Sequence, residues 1–123
     1  MIGVGLTRID HIAMGLAVEQ FDTWVLFARA VLGLNRGETL DLADPRGLIQ
    51  TCGLTDDSRR LRVVLNVSLS ARTATARQIC ATGEAGGGVH HIALACDDIL
   101  ETVDRLRANG VQFVPISGNY YED

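Results

Sequence analysis

The sequence predicts an α+β fold built on a repeated unit. One complete βαβββ module fills residues 1–82, a glycine-rich connector spans residues 83–88, and a truncated second module covers residues 89–123. Together they predict a partly open, curved mixed sheet with helices on its outer face. Three observations carry this. The phrase Ile9-Asp10-His11-Ile12-Ala13-Met14 returns eighty positions on as Val89-His90-His91-Ile92-Ala93-Leu94. Each copy runs on into a segment of helical periodicity. Between the copies lie segments that alternate apolar and polar residues, as half-buried strands do.

Residues 7–15 form the first strand, with Ile9, His11 and Ala13 on one face and Asp10, Ile12 and Met14 on the other. Residues 18–32 place Phe21, Trp24, Val25, Ala28, Val31 and Leu32 at three- and four-residue spacing, which predicts an amphipathic helix with a core-facing Trp24 and a stop at Gly33. Residues 35–42 and 46–54 read as strands broken at Asp44-Pro45. Residues 60–68 are the cleanest strand, with Leu61, Val63, Leu65 and Val67 set against Arg62, Val64, Asn66 and Ser68. A short helix follows over residues 73–81. The second copy gives a strand at 89–96, a helix at 99–109 capped by Asp97 or Asp98 and ended by Gly110, and a strand at 111–116. Against the first copy, two strands are missing. The sheet is therefore expected to expose an unpaired edge, covered by a second chain, by exchanged strands or by further residues.

Composition narrows the function classes. An apolar fraction of 47% suits a packed core, and a net charge of −4 argues against a nucleic-acid partner. Arg59, Arg60 and Arg62 sit beside Asp56 and Asp57, as in a solvated turn. The N-terminus fits neither a signal peptide nor a membrane span. The three cysteines, Cys52, Cys80 and Cys96, read as reduced thiols of a cytoplasmic protein.

His11 and His91 are the sharpest chemical signal, because each shares its strand face with a small alanine that leaves room beside it. Two neutral imidazoles bind Fe(II), Mn(II), Co(II), Ni(II) or Zn(II), and one added carboxylate completes the open facial triad of non-haem iron oxygenases. The alternative is a pair of core histidines, each satisfied by a hydrogen bond. The opposite face, with Ile12, Met14, Ile92 and Leu94, suits packing under a helix. His90 falls on the other face from His91, which favours a surface or supporting role over ligation. Asn66 and Ser68, and more weakly Gln50, are candidates to bind a small carboxylate or carbonyl. The Gly86-Gly87-Gly88 run precedes a strand and lacks the Lys-Ser/Thr of a phosphate loop, so it reads as a connector. The terminal Glu122 and Asp123 carry no assigned role.

The run Gly88–Leu94, followed by Asp97-Asp98-Ile99, Leu106-Arg107, Gly110-Val111, Phe113, Pro115 and Tyr120-Tyr121, closely resembles the C-terminal half of the 4-hydroxyphenylpyruvate dioxygenases. Those enzymes belong to the vicinal-oxygen-chelate superfamily of glyoxalases, bleomycin resistance proteins and dioxygenases, built from paired βαβββ modules. Asp10-His11, the helix after it and Leu32-Gly33-Leu34 also look like the start of that half. The resemblance implies that His11 and His91 match two iron-binding histidines, and that Fe(II) is the cofactor, with Mn, Co, Zn or Mg as other divalent choices. It places the third ligand, a glutamate, beyond the paired tyrosines, where this sequence has ended. Asn66 matches an asparagine near the substrate, but Val67-Ser68 stands in place of the usual Glu-Pro, and His90 in place of glutamine. A second resemblance accommodates these departures. Gly47-Leu48-Ile49-Gln50, Leu65-Asn66-Val67-Ser68 and Asn119-Tyr120-Tyr121-Glu122-Asp123 look like the dioxygenase-like domain fused to some bacterial 3-dehydroshikimate dehydratases.

The expected function is Fe(II)-dependent oxidation of an aromatic 2-oxo acid, incomplete in this chain for want of the third ligand. Weak metal binding and little turnover follow unless a partner, most simply in a homodimer, supplies the carboxylate. The alternative is a non-catalytic binding or assembly domain of a dehydratase fusion. A small glyoxalase-like or drug-sequestering protein with its site between two chains is a third reading, which the Tyr120-Tyr121 ending disfavours.

Overall fold

The computed structural model describes residues 3–81 and 87–115. They fall into two compact units. The larger is Ile9–Leu94, and the smaller joins the described parts of Met1–Arg8 and Ala95–Asp123.

Among the described residues, five strands form one sheet in the order β2-β3-β4-β1-β5. In chain order the elements are β1 (Leu6–Leu16), α1 (Phe21–Ala30), β2 (Asn35–Asp44), β3 (Gly47–Thr55), β4 (Arg62–Ser68), α2 (Ala74–Ala81), β5 (Gly87–Cys96) and α3 (Ile99–Ala108). The run β1–α1–β2–β3–β4 is the predicted βαβββ module. β1 and β4 are parallel, with Ile12 beside Val63, Ala13 beside Val64 and Gly15 beside Asn66. β3 runs antiparallel to β4, with Thr51 opposite Asn66 and Gln50 opposite Val67. β2 runs antiparallel to β3, with a register shift between Arg36 and Thr39.

The core of the larger unit lies between α1 and one face of the sheet. Phe21, Val25 and Ala28, spaced four and three apart, pack on Leu16, Cys52, Leu54, Leu65 and Val67, with Met14 and Val63 at the margin. Each fully buried large side chain contributes about 1.5–3 kcal/mol of transfer free energy. A ten-residue helix on a sheet buries only that one stripe. Trp24 flanks it and is 37% exposed, edge-on to Phe27, which corrects the expectation of a core tryptophan. The helix is also shorter than predicted. A 3-10 turn occupies Val18–Gln20, and Gly33 adopts φ +68 so that the Leu34 amide can donate back to the Ala28 carbonyl.

α2 packs over the other face. The Cα of Gly15 points toward Thr75, Gln78 and Ile79, so any side chain there would meet them. Ile92 and Leu94, expected beneath a helix, are 54% and 53% exposed, because the buried stripe of α1 lies on β1, β3 and β4.

In the smaller unit, Asp98 caps α3 by accepting a hydrogen bond from the Glu101 amide at 3.1 Å. Arg105 pairs with Glu101 one turn back and donates to the Gly3 carbonyl at 3.2 Å. Residues 111–115 are not a strand, contrary to expectation. They enter no ladder among the described residues, and Pro115 has no amide to offer one. Ile116 lies outside the described residues, as do residues 83–86 of the predicted connector.

Candidate metal centre

β1 and β5 are sheet neighbours, and each brings one histidine to the same place. His11 Nε2 stands 3.4 Å from His91 Nε2, with the rings edge to face at a centroid distance of 5.5 Å. Their protonation follows from their other nitrogens. The Asp10 carboxylate lies 2.9 Å from His11 Nδ1 and can only accept when ionised, so Nδ1 carries the proton and Nε2 presents its lone pair. On the other ring, His91 Nδ1 lies 2.8 Å from His90 Nδ1, so one of the two donates to the other. Burial, and then the neighbouring imidazoles of His90 and His11, hold the His91 pKa below its ordinary value.

Where His91 donates from Nδ1 to His90, its Nε2 lone pair faces that of His11 and the two repel unless a cation lies between them; where it accepts there, its Nε2–H donates to His11 instead. Nitrogens about 2.0–2.1 Å from a tetrahedral ion stand roughly 3.3–3.4 Å apart, and cis positions of an octahedral ion about 3.0 Å apart. The observed spacing therefore fits a divalent ion held by both rings, with a small side-chain rotation for octahedral geometry. Asp10 supplies the carboxylate that commonly orients such a histidine. Arg62 Nη1 forms an ion pair with Asp10, 3.6 Å from its Oδ1. Among the described residues, no cluster of three or more histidine, cysteine or acidic side chains is suited to hold a metal. Glu122 and Asp123 lie outside the described residues.

The other candidate residues are distributed unevenly. Asn66 lies beside Gly15, four residues along the strand from the level of His11 and on the same face. That separation is about 13 Å. Its half-buried amide makes no hydrogen bond among the described residues. Ser68 is already engaged, with its hydroxyl bonded to the Ser70 carbonyl and the Thr73 hydroxyl at the approach to α2. Gln50 sits opposite Val67, one position out of phase with Asn66, and so belongs to the α1 face. A cavity of about 230 Å³ beside His11 is lined by Asp10, Gly53, Leu54, Thr55, Arg62, Val63 and Val64.

Asp10 and Arg62 are the participants that strand alternation missed. Alternation fixes where a Cβ points, yet the Asp10 carboxylate and the His90 ring both turn back to the neighbouring histidine. The Asp-His dipeptide was the available signal for Asp10. Arg62 depends on the β1–β4 register, which nothing local specifies.

Residues 8–123 match the family model described as the Glyoxalase/Bleomycin resistance protein/Dioxygenase superfamily. The chain is 40% identical over 119 residues to a 3-dehydroshikimate dehydratase of Pseudomonas putida, across 97% of this chain and 18% of that protein. It is 31% identical over 119 residues to a 4-hydroxyphenylpyruvate dioxygenase of Pseudomonas aeruginosa, across 97% of this chain and 33% of that one. It also superposes on a solved xylose isomerase-like TIM barrel/4-hydroxyphenylpyruvate dioxygenase fusion protein with a TM-score of 0.67 and 36% identity. That match covers 96% of this chain and 18% of the fusion protein. The chain thus spans about a fifth of the dehydratase and a third of the dioxygenase.

Proposed function

The chain belongs to the Glyoxalase/Bleomycin resistance protein/Dioxygenase superfamily, and from that premise we propose that His11 and His91 are two ligands of a divalent metal, Fe(II) foremost, in a domain that handles an aromatic 2-oxo acid. The observation that carries this is the pair of Nε2 atoms facing each other at 3.4 Å, with the Asp10 carboxylate on the far nitrogen of His11. When bound, non-haem Fe(II) supplies the redox chemistry of a dioxygenase. The protein's own residues do the rest. Asp10 keeps the His11 proton on Nδ1, and Arg62 adds positive charge that favours an incoming carboxylate. Asn66, about 13 Å along the same face, offers its amide to the distal end of a substrate anchored at the histidines. With no carboxylate ligand beside them among the described residues, the two histidines bind metal weakly, and turnover needs a carboxylate from elsewhere. The likeness to a dioxygenase supports this reading at the level of the domain.

The stronger likeness to a dehydratase favours a second reading. There the domain is a dioxygenase-like binding or assembly module, and the dehydration chemistry belongs to a separate part of a longer protein. Exchanging His11 for alanine separates the two. Under the first reading His11→Ala abolishes metal binding, and under the second it changes only stability.

A further inference from the structure

We propose that the cavity between the β2–β3 turn and the approach to α2 binds a phosphorylated small molecule through Arg46, Arg72 and Arg77. The cavity measures about 630 Å³ and is lined by Pro45, Arg46, Ala71, Arg72 and Arg77, with no acidic residue on its wall. It shares no residue with the cavity beside His11, so the inference stands independently of the metal centre. In a chain of net charge −4, three arginines line one volume. None of the three side chains has an ion pair or hydrogen bond among the described residues. The nearest carboxylate in sequence, Asp44, is turned to the backbone amide of Arg46 at 2.9 Å.

The backbone that carries these arginines is fixed in advance. The Ser70 hydroxyl donates to the Arg46 carbonyl at 3.1 Å and accepts from the Arg72 amide at 3.3 Å, tying the two loops together. The Leu69 amide donates to the Leu48 carbonyl at 2.9 Å just behind them. Thr73 is fully buried, accepts from the Ala76 amide through its hydroxyl and from the Arg77 amide through its carbonyl. Gly47 makes the arrangement possible, since a Cβ there would run into Ser70.

Ligand class follows from the forks. One guanidinium satisfies both oxygens of a carboxylate, whereas three around one volume match a phosphoryl group, with at least three acceptor oxygens and a charge near −2. The cavity is much larger than a phosphate ion, so the site takes a phosphate ester or a diphosphate.

The test is a calorimetric titration of the chain with pyrophosphate at low ionic strength. Arg46→Ala, Arg72→Ala, Arg77→Ala and Arg72→Lys are run alongside, with Arg60→Ala as a charge-matched control in a distant turn. Saturable binding is expected, weakened about tenfold or more by each alanine exchange at the three positions. Arg72→Lys, which keeps the charge and loses the fork, should also weaken it, and the control should not. Thermal melts identify any variant that fails to fold, and the lysine variant then carries the comparison. The proposal is overturned by an absence of saturable binding, by an equal loss in the control, or by citrate binding as tightly as pyrophosphate.

Discussion

Asp10 sets which nitrogen of His11 faces His91. Its carboxylate can only accept, and it sits 2.9 Å from Nδ1. Asp10→Ala is therefore expected to weaken metal binding about 10- to 100-fold while both histidines remain. A competition titration with Zn(II) reads the affinity, and the ring 15N shifts of His11 in the metal-free chain read the loss of tautomer control. Unchanged shifts together with unchanged affinity would remove Asp10 from the site. His91 gives a second expectation. Its pKa is lowered by burial first and by His90 next, so His90→Ala should raise it partway toward the ordinary 6.5 in an NMR titration. The sign for stability follows. An imidazole with a lowered folded pKa binds fewer protons folded than unfolded, so the metal-free chain loses stability as pH falls below about 6.5. A pH melt of His91→Ala should show that slope reduced. Single residues were readable from sequence where the side chain's placement follows from its own strand, as for the two histidines, which the structure brings side by side. They were not where a neighbour's side chain folds back, as for Asp10 and His90.

At the scale of elements, the approach of β5 to β1 brings the histidines together, and Gly87 permits it. Gly87 has φ +146, and a Cβ there would collide with the Gly15 carbonyl. Gly87→Ala is expected to lower stability by about 1–3 kcal/mol. It should also weaken metal binding, because His91 lies four residues farther along the same strand. Denaturant melts and the same titration measure both, and a stability loss with intact affinity would separate the strand contact from the site. Leu54 and Leu65, fully buried under α1, mark the other structural dependence. Leu65→Ala should cost about 2–5 kcal/mol without altering the tautomer of His11. Elements with strong alternation or helical spacing, such as β4 and α1, were legible. Their extent was not, because the end of α1 is set by the positive φ of Gly33 and the missing strand at 111–115 by whether a neighbour offers a ladder. The exposure of Trp24 has the same origin, since helical spacing marks an apolar face but not how wide a stripe the sheet will cover.

For the whole molecule, the repeat made the architecture readable. The doubled phrase marked the two histidine strands, and the structure sets them side by side in the order β2-β3-β4-β1-β5. The register that sets Arg62 near Asp10 and puts Gln50 out of phase with Asn66 is a long-range property, absent from any single segment. A metal shared by two strands should act on the fold as a unit. At a hundred times its dissociation constant it stabilises by about 2.7 kcal/mol, so the melting temperature of the wild-type chain should rise with added metal. The central claim is tested most directly by an anaerobic Fe(II) titration of wild type, His11→Ala and His91→Ala, with oligomer size recorded throughout. One equivalent bound per chain and lost in both variants is the expected result. Binding indifferent to both histidines, or none at all in a folded wild-type chain, would contradict it.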